Sequence, residues 1–317
     1  MMVTRRDVVR WTAVSLVAPG RAIAQSIARP SRVSIYSAPA VKDALVAALV
    51  ERGWVDGSNI VFEWHGAEGS EARIGEHLGV TPADVVVAGG PHRIRAAMRV
   101  TTVTPIIGVD LESDPVAGGF VKTLARPGGN VTGIWMDLPE LAGKQIQFLR
   151  EVLPSLKRLG VVWDDQIGRP QFTELQAVSR IASISLQPAA LRLATEIDSV
   201  MKRLLTSRPQ AIVLLTAPVV FASLHRIAEL ALQSRLPSIS PFSPYPSGGL
   251  MAYGPDFPAM WRQLASYVDR VLRGARAGDL PVERPSKFSL IVNLKTAKDI
   301  GIGLPQSLVL RADEVIR

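Results

Sequence analysis

The 317-residue chain contains no cysteine. Disulfides, thiolate metal sites and a lipid-modified N-terminal cysteine are thereby excluded. Histidine is almost as scarce: His65, His77, His92 and His225 are the four, and none stands at HxxxH or a comparable metal spacing. No metal is expected. The net charge of +8 is scattered, with no run of five or six like charges and no aromatic interleaving, so a nucleic-acid surface is not expected. Also missing are a GxGxxG after a strand, a GxxxxGK followed by Ser or Thr, and a GxSxG. These absences argue against an enzyme of the doubly wound class, and neither catalysis nor a cofactor is expected. The apolar run near the N-terminus is far below the roughly 20 residues that span a bilayer, so no stable membrane insertion is expected.

What is present is material for packed cores: 47% of residues are apolar and 20% charged. The length suits about two domains of roughly 150 residues each. Residues 1–24 read as a targeting segment. Basic Arg5, Arg6 and Arg10 precede a short apolar stretch from Trp11 to Ala18, then Pro19-Gly20 and the small-x-small triplet Ala22-Ile23-Ala24. That is the layout of a cleavable signal peptide. Thr4-Arg5-Arg6-Asp7 resembles a twin-arginine export signal, with an ordinary Sec signal or a disordered basic tail as the alternatives. Either export route places the processed protein in the periplasm, which is the expected location.

The stretch Leu124–Ile134, LARPGGNVTGI, divides the rest. Pro fixes φ and Gly tolerates positive φ, so Pro127-Gly128-Gly129-Asn130 marks a reversal before a strand. Before it, apolar runs at 32–37, 59–64, 84–88 and 105–109 alternate with helical patterns. After it the alternation restarts: a helix at 140–153, strands at 158–163, 190–193, 211–216, 236–240 and 248–254, with helices at 171–183, 197–207, 221–234 and 260–273. A strand at 287–292 and a helix at 296–300 follow. Nearly all-apolar strands alternating with helices indicate an α/β architecture of parallel sheets covered on both faces. Two such halves imply two lobes around a cleft, with ligands outside the carboxyl ends of the strands.

Asp114-Pro115-Val116, LARPGGNVTG (124–133), LMAYGP (250–255), FSLIVNLKTAKDIGI (288–302) and LPQSLVLRADEVI (304–316) together resemble the ABC-transporter substrate-binding proteins of the tryptophan/tyrosine-binding-like group. The likeness covers nearly all of the chain beyond the targeting segment, in the same order. It implies a two-lobed type I periplasmic-binding-protein fold with three crossovers, serving an ABC permease and its ATPase, and a monomer. It also implies crossings near 134–137, 250–253 and 286–290, with the last helix pair returning to the first lobe. The expected lobes are 31–134 plus 253–287, and 135–252 plus 288–317.

Candidate ligand-binding residues follow the strand ends. Ser37 ends the first strand, as a hydroxyl donor or a turn serine. Gly90 and His92 open a helix whose free N–H groups favour an anion. Pro91 replaces the hydroxyl the family usually carries there, and His92 is a substitute donor. Asp114 can pair with an ammonium group or cap the turn at Pro115; Glu112 is a weaker rival. Trp163-Asp164 stand where relatives often carry Asn-Pro, and the indole can stack on an aromatic or apolar ligand or pack between lobes. Thr216 ends another strand, Phe242 and Tyr245 can wall the cleft, and Tyr253 sits at a crossing. The implied ligand is a small organic molecule, aromatic or carboxylate-bearing. The competing readings are a doubly wound enzyme, a sensor domain presenting ligand to a membrane protein, and a repressor-like regulator; the last needs an N-terminal helix-turn-helix where this chain has an export signal.

Overall fold

A computed structural model describes residues 29–317 apart from 38–39, 67–70, 244 and 246–247. The expected targeting segment lies outside the described residues. The first half comprises β1 (Ser31–Tyr36), α1 (Ala40–Val50), β2 (Ile60–Trp64), α2 (Glu71–Val80), β3 (Val85–Gly89), α3 (Pro91–Val100), β4 (Ile106–Asp110) and β5 (Val131–Trp135). Its strands form one parallel sheet, ordered β2-β1-β3-β4-β5. Side chains alternate across a strand, and here both faces are buried. Val85 and Val87 of β3 pack with Leu45, Leu49, Leu264 and Val268, whereas Val86 and Ala88 pack with Ile74 and Ile94. Each fully buried Val or Leu contributes about 1.5–3 kcal/mol.

The second half continues with α4 (Leu138–Val152), β6 (Arg158–Trp163), α5 (Arg169–Ile181), β7 (Ser185–Ala190), α6 (Ile197–Thr206), β8 (Ala211–Leu214), α7 (Pro218–Ala222), α8 (Leu224–Gln233), β9 (Ser238–Ser240) and β10 (Met251–Pro255). Then come α9 (Phe257–Leu272), β11 (Phe288–Asn293), α10 (Leu294–Ile300), α11 (Gln306–Arg311) and β12 (Glu314–Ile316). The second sheet runs β12-β11-β10-β9-β8-β6-β7, parallel except for the antiparallel β10–β11 pair. The architecture is the α/β one expected, with parallel sheets flanked by helices.

Local differences have local causes. The strand expected at 190–193 lies earlier, at 185–190, and includes Pro188. Proline has no N–H for a ladder, but β7 is an edge strand and needs none on its outer side. The helix expected at 221–234 is two, broken at Ser223, whose hydroxyl donates to the Val219 carbonyl at 2.8 Å. Of the last helices, α9 packs against α1 and the first sheet, while α10 lies against α8 and β12. The expected return of a helix pair is therefore a return of α9.

The PGGN turn is pinned on both sides: Gly128 N–H donates to Gly278 O at 3.0 Å, and Asn130 Nδ2 donates to Thr101 O at 3.1 Å and Thr104 O at 2.9 Å. Just beyond it, Gly133 of β5 has φ +137° and sits opposite Gly108 of β4. A Cβ on Gly133 would lie 2.0 Å from the Gly108 carbonyl oxygen, so the two strands approach as only glycine permits.

The chain passes between the sheets three times. Met136-Asp137 links β5 to α4, Asp256 links β10 to α9, and residues 284–287 lead to β11. The second change of sheet thus comes at Asp256, a few residues beyond 250–253, because β10 pairs with β9 and β11 along its length. Both linking aspartates cap the helix that follows. Asp137 accepts from Glu140 N at 3.3 Å and Asp256 from Ala259 N at 2.9 Å, each ahead of a first-turn proline.

Candidate functional site at the facing strand ends

The carboxyl ends of the two sheets meet. Leu111, just past β4, and Thr216, just past β8, are joined by a hydrogen bond from the Thr216 hydroxyl to the Leu111 carbonyl at 2.7 Å. Phe242, just past β9, lies parallel to Phe257 at the start of α9, with centroids 6.3 Å apart and planes at 16°. Phe257 packs against the cores of both halves. Phe221 meets Phe242 edge-on at 5.1 Å and Trp261 lies 6.1 Å from Phe257, extending the aromatic wall.

On the first sheet's edge, Ser37 is buried, and its Oγ lies 2.7 Å from where a Cβ on Gly89 would sit. Gly89 is thus the residue that makes room for it. Gly90 takes φ +81° and caps α3 with no side-chain bond; the space where its Cβ would point faces Glu112 Oε2 and Arg93 Nη1, each at 3.7 Å. His92 follows on the exposed side of α3. Asp114 is exposed, and its Oδ1 accepts from Val116 N at 2.8 Å and Ala117 N at 2.6 Å. That is its capping role.

The buried acids of this edge are Asp110 and Glu112. Asp110 accepts from Glu112 N at 2.8 Å, Ser113 N at 3.1 Å and the Ser113 hydroxyl. Burial raises the Asp110 pKa, opposed by these bonds. Burial, then the charge of Asp110, pushes the Glu112 carboxyl well above its usual range, with Arg93 opposing. The Glu112 carboxyl is thus shifted toward its protonated form by burial beside a second buried carboxylate. Close by, Tyr36, His65 and His77 stack, with centroids 4.6 Å and 3.9 Å apart in sequence. Burial lowers the His65 pKa, and His77 lowers it further.

On the second sheet's edge, Trp163 closes β6, 5% exposed, stacked on Phe172 with centroids 4.4 Å apart. The Arg169 guanidinium lies 5.5 Å from the indole. The indole Nε1 is buried with no hydrogen-bond partner among the described residues. Asp164 accepts from Gln166 N at 2.8 Å and so shapes the turn into α5. Gln171 grips Thr216 like a paired strand: Oε1 accepts from Thr216 N at 2.8 Å, and Nε2 donates to Thr216 O at 2.8 Å.

Two expected residues lie away from this edge. Tyr245 is 1% exposed inside the α6–α8 layer, and its hydroxyl donates to Ser238 at 2.6 Å, at the amino end of β9. Tyr253, midway along β10, packs edge-on against Phe148 at 5.0 Å and stacks with Phe288 at 5.7 Å. The structure thus gathers Ser37, Gly90, Trp163, Thr216 and Phe242 near the facing ends. Asp110, Gln171 and Phe257 were not legible in the sequence: Asp110 ends β4, Gln171 and Phe257 lie in the first turns of α5 and α9, and only the pairing of the halves gives them a role. The cue for Asp110 was a carboxylate closing an otherwise apolar strand.

Among the described residues no group of three or more His, Asp or Glu is placed to hold a metal ion, and no helix is long and apolar enough to cross a membrane.

A family model described as ABC transporter substrate binding protein matches residues 22–316. The chain is 24% identical over 263 residues to the tyrosine-binding protein of Clostridioides difficile strain R20291, covering 81% of this chain and 75% of that one. It superposes on a conserved domain protein from Vibrio cholerae O1 biovar eltor with a TM-score of 0.83, at 24% identity, covering 90% of this chain and 100% of the other. An ABC domain from Streptococcus pneumoniae in complex with L-Trp gives a TM-score of 0.82 at 23% identity, again covering 90% and 100%.

Proposed function

Because the chain belongs to the ABC transporter substrate-binding protein family, we propose that it is a periplasmic receptor that closes two lobes on a small organic molecule and delivers it to a permease and its ATPase. The observation that carries this reading is the contact between Thr216 and Leu111, which joins the carboxyl ends of two separate sheets. Ligands of open α/β sheets bind at such ends, and closure traps them.

The ligand is aromatic or carboxylate-bearing. The parallel rings of Phe242 and Phe257, and the Trp163–Phe172 stack, offer flat apolar surfaces. Relatives that bind tyrosine or hold L-Trp support the aromatic class. Ser37, Gly90, His92 and Asp114 are assigned to contacts from the first lobe. Trp163, Asp164, Thr216 and Phe242 serve from the second, while Tyr245 and Tyr253, away from the facing ends, pack in the core behind them. The protein acts as a monomer and returns its ligand chemically unchanged.

The test is native mass spectrometry of the protein purified without added ligand, followed by a thermal-shift screen of aromatic amino acids and aromatic acids. A ligand at 100 times its Kd adds about 2.7 kcal/mol of stability, a clear rise in melting temperature. Saturable binding with the compound recovered unchanged is the expected result. Conversion of the compound during incubation would refute the receptor reading, and no stabilisation by any aromatic compound would refute the ligand class.

A further inference from the structure

We propose that Thr216 is a closure latch: its one hydroxyl proton is exchanged between an acceptor in its own lobe, Gln171 Oε1, and an acceptor in the other, Leu111 O. This rests on the two-lobe closure proposed above. Thr216 Oγ1 lies 2.7 Å from Leu111 O and 2.5 Å from Gln171 Oε1. A threonine hydroxyl has a single hydrogen to give, so only one of these bonds forms at a time. The orientation of the Gln171 amide is settled by the backbone, since Oε1 must face Thr216 N–H and Nε2 must face Thr216 O. Both acceptors are therefore real.

The latch is dry and rigid. Thr216, Gln171 and Leu111 are 1%, 4% and 8% exposed, which leaves the bond without a competing solvent. Leu111 is held from both sides. Asp110 Oδ1 gathers the Glu112 and Ser113 amides into a turn around it, at 2.8 Å and 3.1 Å. On the other lobe, Gln171 sits in the first turn of α5.

Two acceptors solve a problem of reversibility. A hydroxyl that bonded only across the cleft would be left buried and unpaired whenever the lobes parted, and an unmade buried bond is costly. Here the proton turns to Gln171 Oε1 on opening and to Leu111 O on closing. The hydroxyl makes one bond in either state, and what it adds on closing is a donor for the Leu111 carbonyl, which would otherwise be buried unpaired while Gln171 Oε1 keeps the Thr216 N–H. Sparing that penalty is enough to shift the closed-to-open ratio by about fivefold, without making opening prohibitive. Gln171 is a positioning residue acting through Thr216.

The test exploits the absence of cysteine. Glu76→Cys on α2 and Ala177→Cys on α5 are exposed positions on the two halves, and spin labels there report the interlobe separation of the full-length chain without added ligand. Two separations are expected, with the closed fraction reduced about fivefold relative to open in Thr216→Val and restored in Thr216→Ser. In Thr216→Val the backbone bonds to Gln171 persist, and circular dichroism checks the fold. Should that variant not fold, Thr216→Ala carries the same comparison. An unchanged ratio in the Val variant overturns the latch and leaves lobe closure standing. Equal loss in the Val and Ser variants also overturns it, because the hydroxyl would not be the cause. A single fixed separation in every variant overturns both the latch and the closure reading.

Discussion

Lys287 Nζ lies 2.8 Å from Asp256 Oδ2, so the third passage between the sheets is ion-paired to the residue that begins the second. The same segment supplies Arg284 to Asp137, the residue that begins α4 after the first passage. Backbone bonds run alongside: Trp135 N–H to Glu283 O at 2.9 Å, and Asp256 N–H to Lys287 O at 2.9 Å. One short segment thus fastens all three passages, through the two aspartates that also cap the helices beyond.

Removing the Asp256 carboxylate strikes both jobs. Asp256→Ala is expected to lose about 1 kcal/mol from the cap alone. The Lys287 bond holds the Asp256 carboxyl below its usual range. A carboxylate depressed on folding adds stability that is present above its unfolded pKa and lost as pH falls through its folded value. Asp256→Asn should therefore flatten the melting-temperature profile below about pH 4 and leave its neutral slope alone. Parallel acid limbs in thermal melts of the two proteins would contradict the pairing.

Glu112 predicts the opposite slope. Its folded pKa is raised, so the stability gained by holding the proton is complete below the unfolded pKa and lost as pH rises through the folded one. Glu112→Gln keeps a neutral donor toward Asp110. It should outlast the parent protein at pH 9 while matching it more closely at pH 5. Melts across that range that keep a constant difference would contradict the raised pKa.

At the turn into β5, two glycines separate strain from tolerance. Gly133→Ala meets both a positive φ and the Gly108 carbonyl at 2.0 Å, and should cost at least about 3 kcal/mol. Gly129→Ala meets nothing within 4 Å and should change stability by less than about 0.5 kcal/mol. Denaturant unfolding of the pair decides it; equal losses would mean that β4 and β5 do not pinch there.

For the aromatic wall, Phe242→Leu should weaken binding of an aromatic ligand found in the screen by about two- to tenfold, since a stacked ring adds about 0.5–1.5 kcal/mol beyond its buried area. Trp163→Phe keeps the stack on Phe172 but removes the unpartnered Nε1. Calorimetric titration of both variants with that ligand separates stacking from hydrogen bonding. Unchanged affinity in both would move the site away from this wall.

Much of this was written in local pattern. Apolar strands such as Val85–Gly89 and Ala211–Leu214, helices of 3.6 periodicity and the Pro-Gly-Gly-Asn turn specify the α/β elements, because burial on both faces demands that composition. The segments 250–255, 288–302 and 304–316 were enough to place the chain in its family. Ser37, Trp163 and Thr216 were legible as site candidates because strand ends can be counted along the chain. Direction and partnership could not be counted. Tyr245 turns its hydroxyl back to Ser238 at the far end of β9, Asp114 is occupied by its own turn, and Pro188 sits in a strand because that strand is an edge. The Thr216–Gln171–Leu111 contact and the Lys287–Asp256 pair join residues 31 to 105 positions apart. Their chemistry exists only once packing brings two sheets together, since hydrogen bonds and ion pairs act over a few ångströms of space and carry no trace in sequence spacing.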